Sequence, residues 1–204
     1  ADNDNFINKY GDRVQLIKSK EQGGILWQRF NNIRRYLITY KMSKTRELIL
    51  KSYQKTKPYY HLAVRILNFF FRNFKFSKPI FLFFDNIIFR DSFYKQYFDK
   101  YNPDAVIIFS VVHNEAFYML QRAKLQKVKV INIVESWDNP SSKLGSLQLC
   151  DYSIVWNQTM CNELNEFLNI QKNTVLITGS PFHDIAASKE KLLSKTEVAK
   201  RYGM

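Results

Sequence analysis

Cysteine and histidine are scarce in this sequence. Its 204 residues hold two cysteines, Cys150 and Cys161, and three histidines, His61, His113 and His183. The cysteines lack Cys-x-x-Cys spacing, so neither a zinc cluster nor a disulfide framework has parts to be built from. Reduced thiols, a cytosolic address and no bound metal are expected. No Gly-x-Gly-x-x-Gly, Walker P-loop, Gly-x-Ser-x-Gly or His-Glu-x-x-His motif occurs, which argues against a dinucleotide enzyme, a P-loop kinase and a serine hydrolase. No cofactor is called for. The opening Ala1-Asp-Asn-Asp-Asn is neither a basic nor an apolar leader, and the start reads as an interior cut.

Acidic residues are missing from one quarter of the chain. Between Arg29 and Lys78 there are 13 basic residues and a single acid, Glu47, whereas residues 101–204 hold 11 Lys/Arg against 10 Asp/Glu. A confined basic patch of this kind favours phosphate-rich partners, whether lipid, nucleotide or nucleic acid. Phenylalanine crowds the neighbouring stretch, with Phe69-Phe-Phe71, Phe74, Phe76, Phe81, Phe83, Phe84, Phe89, Phe93 and Phe98. A membrane-spanning helix needs roughly 20 uninterrupted apolar residues. Arg72, Lys75, Lys78, Pro79, Asp85 and Arg90 break every run short of that. Two readings remain for residues 58–98: rings packed into a core, or a surface lying on an anionic bilayer.

What is present in quantity is apolar material, 46% of the chain with 16% aromatics, enough for a folded core. Asn5 to Gly11 reads as a helix tail, Arg13–Lys18 as a short strand and Gly23-Gly24 as a turn. From Ile25 to about Gln54 the spacing of Leu26, Phe30, Ile33, Leu37 and Tyr40 is helical and resumes at Leu48. Beyond Asn102 the pattern is regular. Asp104–Phe109, Val128–Val134, Asp151–Trp156 and Thr174–Thr178 read as strands, the first apolar enough to be buried on both faces. Helical segments lie at about His113–Lys124, through Glu163 to Leu168, and in the polar stretch Lys189–Tyr202. Strands alternating with helices predict right-handed crossovers and a Rossmann-like parallel sheet flanked by helices, with the basic, aromatic region inserted as helices. Residues 1–184 form one domain in this reading, short of its first strand, and 185–204 a linker helix.

Ligands of open parallel sheets gather beyond the carboxyl ends of the strands. Three polar loops leave such ends: Ser110–Glu115, Glu135–Lys143 and Gly179–Asp184. The candidate base is His113, Glu135 or Asp138, since transfer to a hydroxyl needs a proton acceptor within hydrogen-bond reach. His113 has the ordinary pKa best suited to that task, and Asp138 has an alternative as a helix cap. Asn114, Ser136, Trp137, Asn139, Lys143, Ser180 and His183 are the candidate substrate contacts.

The order Ser136-Trp137-Asp138-Asn139, then a strand ending in Val155-Trp156-Asn157, then Thr178-Gly179-Ser180-Pro181 with Asp184 downstream, resembles bacterial GT-B enzymes of surface-polysaccharide synthesis. The group meant is that around the CDP-glycerol glycerophosphotransferases and the UDP-N-acetylglucosamine 2-epimerase-like transferases. The likeness covers about Asn102 to Asp184. It implies the acceptor-side half of a two-domain transferase whose nucleotide-sugar donor is held by a C-terminal domain beyond these residues, so that this chain alone is inactive. Taken with the basic, aromatic residues 29–98, it leads to the expectation of an anionic or lipid-linked acceptor at the inner face of the cell membrane. The alternatives are a sugar-nucleotide epimerase of the same fold and a non-enzymatic nucleic-acid binder. Basic residues interleaved with aromatics suit single strands, but no RRM, KH or zinc-finger spacing occurs, and nucleic acid is not the expected partner.

Overall fold

The computed structural model describes residues 41–74, 76, 80, 83, 84, 87, 92–109, 114–142, 149–187 and 193–203. The helix tail at Asn5, the strand at Arg13, the turn at Gly23 and the helical spacing before Lys41 lie outside the described residues. So do His113 and Lys143.

The first described elements are α1 (Lys44–Thr56) and α2 (Pro58–Asn73). Ser43 caps α1 by accepting the Arg46 N–H at 3.2 Å, and Pro58 opens α2 at a position where the missing N–H costs nothing. The pair folds back on itself through Leu50 and Val64, both buried, and an edge-on contact of Tyr53 with Tyr60, centroids 5.5 Å apart. The long helix expected up to Gln54 is thus interrupted at Ser43, whose side chain competes for the first free N–H of the next turn.

After α3 (Lys95–Tyr101), strands and helices alternate: β1 (Ala105–Phe109), α4 (Asn114–Leu125), β2 (Lys129–Ile133), α5 (Asn139–Ser142), β3 (Tyr152–Val155), α6 (Gln158–Leu168), β4 (Val175–Ile177), α7 (Pro181–Ala187) and α8 (Lys195–Tyr202). The four strands form one parallel sheet in sequence order, with Val106 opposite Val130, Asn132 opposite Ser153 and Val155 opposite Ile177. The protein is therefore of the α/β class, a parallel sheet flanked by helices.

Sequence-ordered strands have a consequence for burial. Right-handed crossovers that always step the same way place their helices on one face of the sheet. Ile108, Val130, Val134 and Val155 point to that face, packed with Phe117 and Leu120 of α4 and Met160, Leu164 and Leu168 of α6. On the other face Ile107, Phe109 and Leu176 are each more than half exposed. The apolar run 104–109 led to an expectation of burial on both faces. Among the described residues the strand is covered on one.

At the amino-terminal edge Asp151 ties two strands together. Its carboxylate accepts the Val130 N–H at 2.9 Å and the Lys124 ammonium at 2.8 Å. Burial pushes this carboxyl up, but the Lys124 and Val130 donors outweigh it and leave the group below its ordinary value. A depressed carboxyl stabilises the fold fully above its unfolded value of about 4 and less as pH falls through the folded one. Asp151→Asn should cost about 1–2 kcal/mol at pH 7 in urea unfolding, and the gap to the wild type should close near pH 3. A pH-independent gap would contradict this.

Candidate functional site

In a parallel sheet all strands end on the same edge, so the segments after β2, β3 and β4 leave side by side. Val134 continues the pairing by donating its N–H to Ile154 O at 3.0 Å. Thr178 does the same to Val155 O at 3.0 Å, and Gly179 to Trp156 O at 3.2 Å. Gly179 sits at φ +88°, which L side chains rarely adopt, with open space where a Cβ would stand. The glycine is there for its backbone, which turns the chain from β4 into α7.

The segment after β2 is organised by Asp138. Its Oδ1 accepts the Ser136 hydroxyl, and the Ser142 hydroxyl is shared between the Asp138 carbonyl at 2.7 Å and Oδ2 at 3.1 Å. The Asp138 carbonyl accepts the Ser142 N–H at 2.9 Å, which starts the single turn of α5. Asn139 and Pro140, its first two residues, are buried, while Trp137 is 69% exposed and Glu135 is exposed. Both oxygens of Asp138 are thus occupied by serine hydroxyls, whereas Glu135 makes no hydrogen bond among the described residues. After β3, Asn157 caps α6 by accepting the Met160 N–H at 3.0 Å. After β4, the Ser180 carbonyl accepts the N–H groups of His183 and Asp184 at 3.0 and 3.1 Å. The His183 ring stands edge-on to Trp156, centroids 5.7 Å apart.

Glu135, Ser136, Trp137, Asp138, Asn139, Ser180 and His183 therefore lie along one edge. Asn114 opens α4 at the same edge, after β1. They do not all face outward. Asn139 is 4% exposed and Ser180 8%, and the Ser180 hydroxyl is buried without a hydrogen-bond partner among the described residues. The four strands run in order without a reversal, so the crevice that a change of strand order opens in such sheets does not arise between them.

Two polar side chains escaped the sequence reading. Asn132, in the apolar strand Lys129–Ile133, is fully buried, and neither its amide oxygen nor its nitrogen has a partner among the described residues. Gln121 of α4 is in the same position. Unsatisfied polar groups are costly to bury and rare. The sequence signal for Asn132 was a lone amide inside a run of valine and isoleucine.

Near the basic hairpin, Ser43 Oγ donates to Ser141 O of α5, and Lys41 donates its N–H to Phe167 O at 3.1 Å. The start of α1 is therefore fastened to the same turn that Asp138 organises. Compared with family models, with curated proteins and with solved structures, the chain matches none.

The Asp138 arrangement predicts non-additive losses. Asp138→Ala should lower stability by about 1–2 kcal/mol, and adding Ser136→Ala to it should cost little more, because the Ser136 hydroxyl and the Asp138 carboxylate share one hydrogen bond. Strict additivity in a double-mutant cycle would show that the two side chains do not act together.

Proposed function

We propose that this chain is the acceptor-binding half of a nucleotide-sugar-dependent glycosyl- or polyol-phosphate transferase of surface-polysaccharide synthesis, working at the inner face of the cell membrane. The observation that carries the reading is the loop after β2. It combines an exposed carboxylate, Glu135, an exposed indole, Trp137, and an aspartate, Asp138, whose hydrogen bonds to Ser136 and Ser142 fix the backbone between them.

Each part has a role in transfer. An indole offers the flat apolar face on which a sugar ring stacks. Glu135 takes the proton from the acceptor hydroxyl as its oxygen attacks the electrophilic centre of the donor, while the nucleoside phosphate departs with its electron pair. Asp138, already holding two hydroxyls, positions the loop and is not the base. His183, beside Trp156, borders the same edge. The reading requires a nucleotide-binding domain to hold the donor and complete the reaction.

Tryptophan fluorescence tests the acceptor site directly. Titration of the chain with glycerol-phosphate oligomers and with N-acetylglucosamine oligosaccharides should give a saturable change below about 10 mM. Trp137→Phe should abolish the change, and Glu135→Gln should leave it in place. With a donor-binding domain present, Glu135→Gln should lower kcat by at least about a hundredfold with KM little altered. Absence of saturable binding to either ligand class, or a full fluorescence response in Trp137→Phe, would count against the proposal.

A further inference from the structure

The α1–α2 hairpin carries a second surface that sugar transfer does not use. Along α2, Tyr59, Leu62, Ile66 and Phe69 follow one another at intervals of three, four and three residues and so share one face. They are 88%, 57%, 48% and 62% exposed, and Phe70 widens the same face. Val64, on the opposite side of the helix, is fully buried. The stripe is thus the outward face of α2, and a contiguous apolar surface of this kind marks an interaction site.

Its surroundings indicate the partner. Residues 41–74 contain eight Lys/Arg and one acid, Glu47, and Lys51, Lys55, Lys57 and Arg65 are exposed. A cavity of about 400 Å³ opens between the two helices, and Lys51, His61 and Arg65 line it together with Glu47 and with Phe69 of the stripe. The His61 Nε2 is buried there without a hydrogen-bond partner among the described residues. Apolar side chains bordered by cations, with a recess at the border where Lys51 and Arg65 outnumber Glu47, suit an anionic lipid surface.

Other occupants fit less well. Tyr59, Phe69 and Phe70 offer rings to nucleobases, but Leu62 and Ile66 between them are aliphatic, and an acyl boundary takes both kinds of side chain. A second copy would bring two strongly basic hairpins face to face. Nor does the helix cross a bilayer: its 16 residues span about 24 Å, and no helix among the described residues is long and apolar enough to do so.

We propose that the α1–α2 hairpin docks flat on an anionic bilayer, with Tyr59, Leu62, Ile66 and Phe69 in the acyl boundary and Lys51 and Arg65 on lipid phosphates. The surface is built from the hairpin alone and holds whether or not the sheet edge transfers a sugar. Through the bond of Ser43 to Ser141, docking would set the loop after β2 at a fixed height above the membrane.

Co-sedimentation of the 204-residue chain with vesicles tests this without any activity measurement. At physiological salt, binding to phosphatidylcholine vesicles containing phosphatidylglycerol should be at least about tenfold tighter than to phosphatidylcholine alone. Ile66→Ser combined with Phe69→Ser should weaken it by at least about tenfold, and so should Tyr59→Ser with Leu62→Ser, which lie further from the cavity. Lys51→Ala and Arg65→Ala should each weaken binding to the anionic vesicles about fivefold and leave the neutral ones unaffected. Equal binding to both vesicle types, or anionic binding that neither serine pair alters, would overturn the proposal. So would a dimer that the serine pairs dissociate in the absence of vesicle binding, or displacement from vesicles by a stoichiometric oligonucleotide.

Discussion

Val130, Val134 and Val155 lie against Leu120 and Leu164 with no solvent reaching any of them. Burying such side chains contributes about 1.5–3 kcal/mol each, and truncating one leaves a cavity that adds to the loss. This contact holds helices α4 and α6 to the sheet, and the sheet to its register. The strand ends, the turns that leave them and the hairpin fastened to α5 take their positions from it. Because the strands are ordered as in the sequence, the helices gather on one side, and the opposite side of the sheet keeps Ile107, Phe109 and Leu176 exposed.

The sheet half of the molecule was legible from residue pattern. The apolar runs around Ile107, Ile131, Ile154 and Leu176 gave strands within two residues of their observed bounds, and the alternation with helices gave a parallel sheet. Strand order was not legible, because periodicity reports which way a side chain points and not which strand lies beside which. One-sided burial of β1 follows from that order, so the apolar run 104–109 suggested more cover than is described. The break before α1 depended on a single hydroxyl, that of Ser43, acting against a helical pattern that runs through it.

The candidate site was legible in part. That Glu135–Asn139 follows a strand could be read from the sequence, and so could the placement of Ser180 and His183 after another. Which of these side chains meets solvent could not. Asn139 and Ser180 are inside, where a polar residue's fate is settled by neighbours distant in sequence. Asp138 had two readings, base or cap, and what the fold adds is that its carboxylate accepts the hydroxyls of Ser136 and Ser142. The hairpin, basic and apolar at once, looked ambiguous as a sequence. Only the burial of Val64 on one side and the exposure of Leu62 and Phe69 on the other assigns its faces.

Native-state hydrogen exchange tests the central contact most directly, because amide protection reports which strands open only when the whole molecule does. The amides of Val130–Val134 and Ser153–Val155 should exchange most slowly, with the core side of α4 and α6 close behind and residues 135–138 far faster. Rapid exchange in the two central strands, or protection of α1 and α2 above theirs, would contradict it.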